Sequence, residues 1–236
     1  MDGGSMGGRA KRPYSSPLRQ EAAEATRMRI LGAAREVLLE AGYPATTMAV
    51  IARRAGVAVQ TLYAAFPGGK ATLARAVYDV TLAGDGRPIP QSDRPEVHAI
   101  TAEPDPVRKL ARFAAMAAGI AVRVGPVHRV LRSAAATDAA AGELVARAEH
   151  QRLVGSRGPV EHLAGCGLLR SGLSVEEAAA RVYVLTGPEV FERLTTTCGW
   201  SVPAYRDWLT ELLVAALLEP AQNSRRSFDS VPRSAS

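Results

Sequence analysis

Cysteine is scarce in this chain. Cys166 and Cys198 are the only two among 236 residues, and neither stands in a CxxC spacing. That excludes a disulfide scaffold and points to reduced thiols in a cytoplasmic protein. Aromatic residues are also few, at 5%, and much of the 47% hydrophobic share is alanine, a composition that builds helices rather than strands. No uninterrupted apolar run reaches the roughly 18 residues of a membrane span. The opening "MDGGSMGGRAKRPYSSP" lacks the apolar segment of a signal peptide. Enzyme signatures are missing too: there is no HExxH and no GxSxG, and "GGK" at Gly68–Lys70 lacks the upstream glycine of a phosphate loop. The four histidines are well separated and metal-ligand spacing is absent. Catalytic residues, metal and cofactor are therefore not expected.

What is present is positive charge and helical periodicity. A net charge of +6 and a pI near 9.7 favour a polyanionic partner, with a solvated basic surface as the alternative that charge alone does not separate. Residues 1–18, with Arg9, Lys11 and Arg12, are too rich in Gly, Ser and Pro to bury a core and read as a mobile basic arm; 220–236 reads as a similar tail. Between them the pattern predicts helices over about 19–41, 47–55, 58–65 and on to Ala83. The first carries Ile30, Ala34, Val37, Leu38 and Ala41 on one face and stops at Gly42. Thr46 or Thr47 caps the second. Prolines in 84–104 mark a linker, with a turn or two of helix over 96–102. Beyond it, helices are predicted over 105–124, 126–136, 138–164, 174–197 and 203–218. The sum is an all-α chain: a three-to-four-helix domain at 19–83, then a larger helical bundle at 105–219.

The stretch "MAVIARRAGVAVQTLYAAFPGGK", Met48–Lys70, has the parts of a helix-turn-helix: Ala52 where the helices cross, Gly56 at the turn, and Ile51, Val57 and Leu62 to hold the angle. An ordinary αα-hairpin has similar parts. The wider run from Arg29 to Val77 resembles the DNA-binding domain of TetR-family (tetracycline-repressor-like) transcriptional regulators. Ile30, Ala33, Ala34, Gly42, Thr46, Thr47, Ile51, Ala52, Ala55, Gly56, Val57, Leu62, Tyr63, Phe66, Pro67 and Lys70 carry the resemblance. It implies double-stranded DNA as partner and a C-terminal helical bundle that binds a small-molecule effector and dimerises through its last two long helices. It also implies ligand-released repression at a palindromic operator. A dimer suits the motif physically, since two copies read half-sites about 34–36 Å apart.

Between Val57 and Phe66 there is no charged side chain, which a reading helix tolerates because phosphate contacts supply most of the affinity. Those contacts are expected from Thr47, Tyr63 and Lys70, with Arg53 and Arg54 adding attraction. Base reading then falls to Ala58, Val59, Gln60, Thr61 and Ala64: Gln60 has a bidentate amide suited to adenine, and the methyl-bearing residues suit thymine. The arm is a candidate for the adjacent minor groove. For the effector pocket the second domain offers Phe113, Met116, His128, Arg132, His162, Tyr183 and Phe191. Trp200, Trp208, Leu212 and Leu213 are expected near the dimer seam. A helical adaptor that binds protein and never DNA is the competing reading; a steep salt dependence of binding separates the two.

Overall fold

The computed structural model describes residues 17–87 and 89–219; the arm, with Arg9, Lys11 and Arg12, and the tail lie outside the described residues. Within them the chain is built of helices and connecting segments, with no strand. It forms two compact units: residues 17–87 with 126–146, and residues 89–125 with 147–219.

The first unit begins with α1 (Pro17–Ala45), interrupted at Gly42, whose φ of 77° only glycine adopts cheaply. Its face of Ile30, Leu31, Ala34, Val37 and Leu38 is buried, and α1 packs on α2 (Met48–Ala55) and α4 (Gly69–Ala83). Ala41, expected on that face, is exposed because it sits at the break. The short α3 (Val59–Ala65) packs on α2. Leu62, Phe66, Leu73 and Val77 complete this core, and Val127, Leu131, Ala134 and Ala141 are buried in the same unit.

The segment after α4 carries a 3₁₀ turn at Gln91–Asp93 and then α5 (Pro95–Ala102). Next, α6 (Pro106–Ala134) runs straight through Pro126, where two helices were expected. A proline removes only its own N–H, and the preceding Gly125 has no Cβ to clash with the ring. The carbonyl of Val122, left without that partner, belongs to an exposed residue. By length and composition α6 also passes for a membrane span, but the candidate window is interrupted by charge and its Leu110, Ala114 and Ala118 are core residues of the second unit.

Two further boundaries differ from expectation. The helix predicted over 138–164 is two, α7 (Ala139–Gly155) and α8 (Arg157–Gly165), parted at Ser156. Ser156 turns back on Arg152, both its N–H and its hydroxyl donating to that carbonyl at 2.9 Å, and Pro159 cannot supply the next amide. The helix predicted over 174–197 is α9 (Val175–Leu185), α10 (Pro188–Glu192) and a π-turn at Arg193–Thr197. Pro188 forces Gly187 into an extended ψ of 136°, which ends α9.

In the second unit α8 and α11 (Val202–Leu217) pack on α9. Their core is Leu110, Val160, Leu163, Val182, Tyr205, Leu209, Leu213 and Leu217, with Ala114, Ala118, Ala178 and Ala179 allowing close approach. Leu213, expected near the dimer seam, is instead fully buried. Ser174 and Glu177 cap α9 reciprocally, and Ser201 caps α11 by accepting from the Ala204 N–H at 3.2 Å.

Candidate nucleic-acid interface

The turn between α2 and α3 is built as the sequence predicts. Gly56 takes φ 64°, ψ 40°, and the Gly56 and Val57 amides donate back to the Arg53 and Ala52 carbonyls at 3.3 and 3.0 Å. Ile51, Ala52 and Leu62 are 1% exposed or less. Side chains from α1 secure the motif from behind. The Arg29 Nε donates to the Ala55 carbonyl at 3.2 Å, closing the C-terminus of α2, and the Arg27 guanidinium stacks on the Phe66 ring at 4.6 Å. Neither role was legible in sequence, where both arginines were simply off the apolar face.

Of the two candidate caps, Thr47 performs the function: its Oγ1 accepts from the Val50 N–H at 3.3 Å, while Thr46 is buried and donates to the Gly42 carbonyl at 2.7 Å. Capping uses a lone pair, so the exposed Thr47 hydroxyl keeps its proton for an acceptor outside, beside the positive end of the α2 dipole. Tyr63 is 50% exposed and stands beside Gly69, whose added Cβ would lie 3.9 Å from the ring. Ala58, Gln60, Thr61 and Ala64 are exposed and Val59 is half-buried. Of these, Gln60, Thr61 and Ala64 lie on the side of α3 away from Leu62.

The cations behave differently. Arg54 is clamped by two acidic residues of α1, Glu36 at 3.1 Å and Glu40 at 2.6 Å. The hydrogen bond from Arg54 holds the Glu40 carboxyl below its ordinary value, and those from Glu40 and Glu36 raise Arg54. The Lys70 ammonium donates to the Tyr43 carbonyl at 3.2 Å and lies 4.1 Å over the Tyr43 ring. Burial, then the Asp138 carboxylate, pushes the Tyr43 hydroxyl above its usual value. Arg53 is exposed near the end of α2.

The effector candidates divide between the units. His128 and Arg132 belong to the first, where His128 is buried near the Tyr78 ring and Arg132 is exposed. The rest belong to the second. Phe113 and Phe191 pack against its core, Phe191 edge-on to Tyr205 at 5.0 Å. The Sδ of Met116 lies 3.9 Å from the Gln91 amide nitrogen. Tyr183 donates to Glu149 at 2.7 Å, a bond that raises its own hydroxyl above the ordinary value, and its ring lies under Arg152. His162 is an acceptor for buried Lys109, whose three N–H donors meet the Ile100 carbonyl at 3.2 Å, the Thr101 carbonyl at 2.7 Å and His162 Nε2 at 3.0 Å. Lys109 was missed in sequence, since nothing local marks a lysine that closes the end of α5.

This arrangement defines a helix-turn-helix protein with a second, helical unit, a class built to dock on duplex DNA. Residues 30–77 match the family model for bacterial regulatory proteins, tetR family. The fold agrees over most of the chain. A Mesorhizobium loti protein described as a TetR-family transcriptional regulator shares 18% identity, with 84% of this chain and 98% of that one covered and a TM-score of 0.62. The SmeT–triclosan complex shares 16%, covering 84% and 93%, with a TM-score of 0.63. NalD of Pseudomonas aeruginosa, the secondary repressor of the MexAB-OprM multidrug efflux pump, shares 21%, covering 84% and 98%, with a TM-score of 0.60. Among curated protein sequences none matches. Residues 30–77 thus carry the region that the tetR-family model describes, and the likeness over the rest of the chain is one of fold.

Proposed function

We propose that the protein is a ligand-responsive repressor that binds a palindromic operator as a homodimer in the cytoplasm and leaves it when a small molecule binds. The observation that carries the reading is the α2–α3 motif itself: a glycine-turned helix pair, secured by Arg29 and Arg27 from behind, with Thr47, Gln60, Thr61, Tyr63 and Ala64 exposed. Thr47 and Tyr63 serve as phosphate donors. Lys70, fixed on Tyr43, keeps ammonium protons for a further phosphate, and Arg53 adds attraction. Arg54 serves mainly to tie α2 to α1.

The second unit supports dimerisation. An open groove of about 580 Å³ lies along α9 and α11, lined by Ala180, Val184, Leu185, Leu212, Ala215 and Ala216 with Arg181 beside them. Val184 is 60% exposed there. An apolar groove on the two helices that this family joins across a dimer axis is filled by a second copy. The SmeT–triclosan complex supports a small molecule as effector. Such a ligand shifts the dimer off DNA by favouring one of its two states, by about 1–3 kcal/mol in typical coupling.

Sedimentation of the full chain, alone and with duplex selected from a random pool, tests the reading. Two chains per duplex and a steep loss of affinity with salt are expected, and Val184→Asp should yield monomers that bind weakly. A monomer whose DNA binding is insensitive to salt would favour the adaptor instead.

A further inference from the structure

Apart from exposed Arg53 on α2, the cations around the reading helix are tied to protein groups. Arg54 is held by Glu36 and Glu40, Arg29 by the Ala55 carbonyl, Arg27 by the Phe66 ring, and Lys70 by the Tyr43 carbonyl and ring. On α3 itself no arginine or lysine occurs. This matters for base choice, because guanine offers two adjacent acceptors, N7 and O6, to the major groove, and reading both requires two donors on one side chain. The exposed residues Ala58, Gln60, Thr61 and Ala64, with half-buried Val59, include no arginine or lysine, the side chains that most often read that pair. What they do contain is one amide, one hydroxyl and several methyls.

Gln60 and Ala64 are one helical turn apart, and Thr61 lies three residues before Ala64, so the three share one exposed stripe opposite buried Leu62. An amide has one donor edge and one acceptor edge, the complement of adenine N7 and N6. The methyls of Ala64, Thr61 and Val59 complement the thymine C5-methyl, which neither guanine nor cytosine carries.

We infer that the base pairs lying under α3 in each operator half-site are A·T pairs, with the Gln60 amide bidentate on one adenine and the methyl stripe against neighbouring thymines. This rests on the regulator reading above and adds the class of sequence that is read. Bidentate readout here depends on the Gln60 amide, so one substitution changes it. Gln60 is exposed and makes no internal contact that its replacement would remove, so its variants keep the fold.

The test is selection of bound duplexes from a random pool by the full chain, repeated with Gln60→Ala and Gln60→Arg. The expected result is an inverted repeat with A·T pairs at the central half-site positions. Gln60→Ala should lose about 5- to 150-fold discrimination at one of them and leave the others intact, and Gln60→Arg should move that position toward guanine. An inverted repeat with G·C pairs at those positions, unchanged by both substitutions, would overturn the inference and leave the regulator reading standing. No enriched repeat at all would overturn both.

Discussion

The helix-turn-helix region and the second unit are both alanine-rich and helical, yet they follow different structural rules. In the first, each boundary is set by one residue acting locally: Gly42, Thr47, Gly56 and Gly84 each terminate or cap a helix through their own backbone angles or hydroxyl. In the second, Ser174 and Ser201 cap the starts of α9 and α11 locally, but helix ends are also closed by side chains of other elements. The end of α5 is closed by Lys109 of α6, and the end of α11 by Arg170 and Arg181, which donate to the carbonyls of Ala215, Leu218 and Ala216. Short helices need strong local stops, because they bury too little to be fixed by packing alone.

The most direct attack on this contrast is to remove equal pieces from the two cores. Leu62→Ala and Leu209→Ala each truncate a side chain with no exposed surface, and each should cost about 2–5 kcal/mol in urea unfolding. If Leu209→Ala cost less than 1 kcal/mol, the second unit would be loosely packed, and the difference between the regions would lie in packing density rather than in how helices end.

A second measurement sharpens the comparison on the alkaline side. Burial pushes the Tyr205 hydroxyl up to about 12, so the folded state holds its proton more tightly than the unfolded chain. Its contribution is complete below the ordinary tyrosine value of about 10 and is lost as pH rises from there through about 12. Tyr205→Phe should flatten that decline in a stability profile between about pH 9 and pH 12; a decline of unchanged steepness would assign it to other groups.

Gly56→Ala isolates the local rule. No atom lies within 4 Å of the added Cβ, so the only penalty is the left-handed conformation, about 1–2 kcal/mol. A neutral result would mean the turn relaxes and Gly56 is dispensable. The smallest effect is expected from Glu40→Gln. Arg54 depresses the Glu40 carboxyl, so the pair adds stability above the ordinary carboxylate range and loses it as pH falls through the lowered value. Because both partners are exposed, the acid limb of the profile should move only slightly.

By itself the sequence determined the all-α class, the turn at Gly56, the cap at Thr47 or its neighbour, and the uncharged reading face, because each depends on one residue's own torsion, hydroxyl or lack of charge. The GP pair at Gly187–Pro188 was equally legible as the end of α9, although the apolar periodicity on either side argued for continuity. Tertiary structure alone decided the rest. Arg54 finds its acidic partners 14 and 18 residues away, Lys70 reaches Tyr43 across 27, and Lys109 meets His162 across 53. A flexible cation's sequence neighbourhood carries no sign of which carbonyl, ring or carboxylate it will meet, and only the packed helices bring those partners within hydrogen-bond reach.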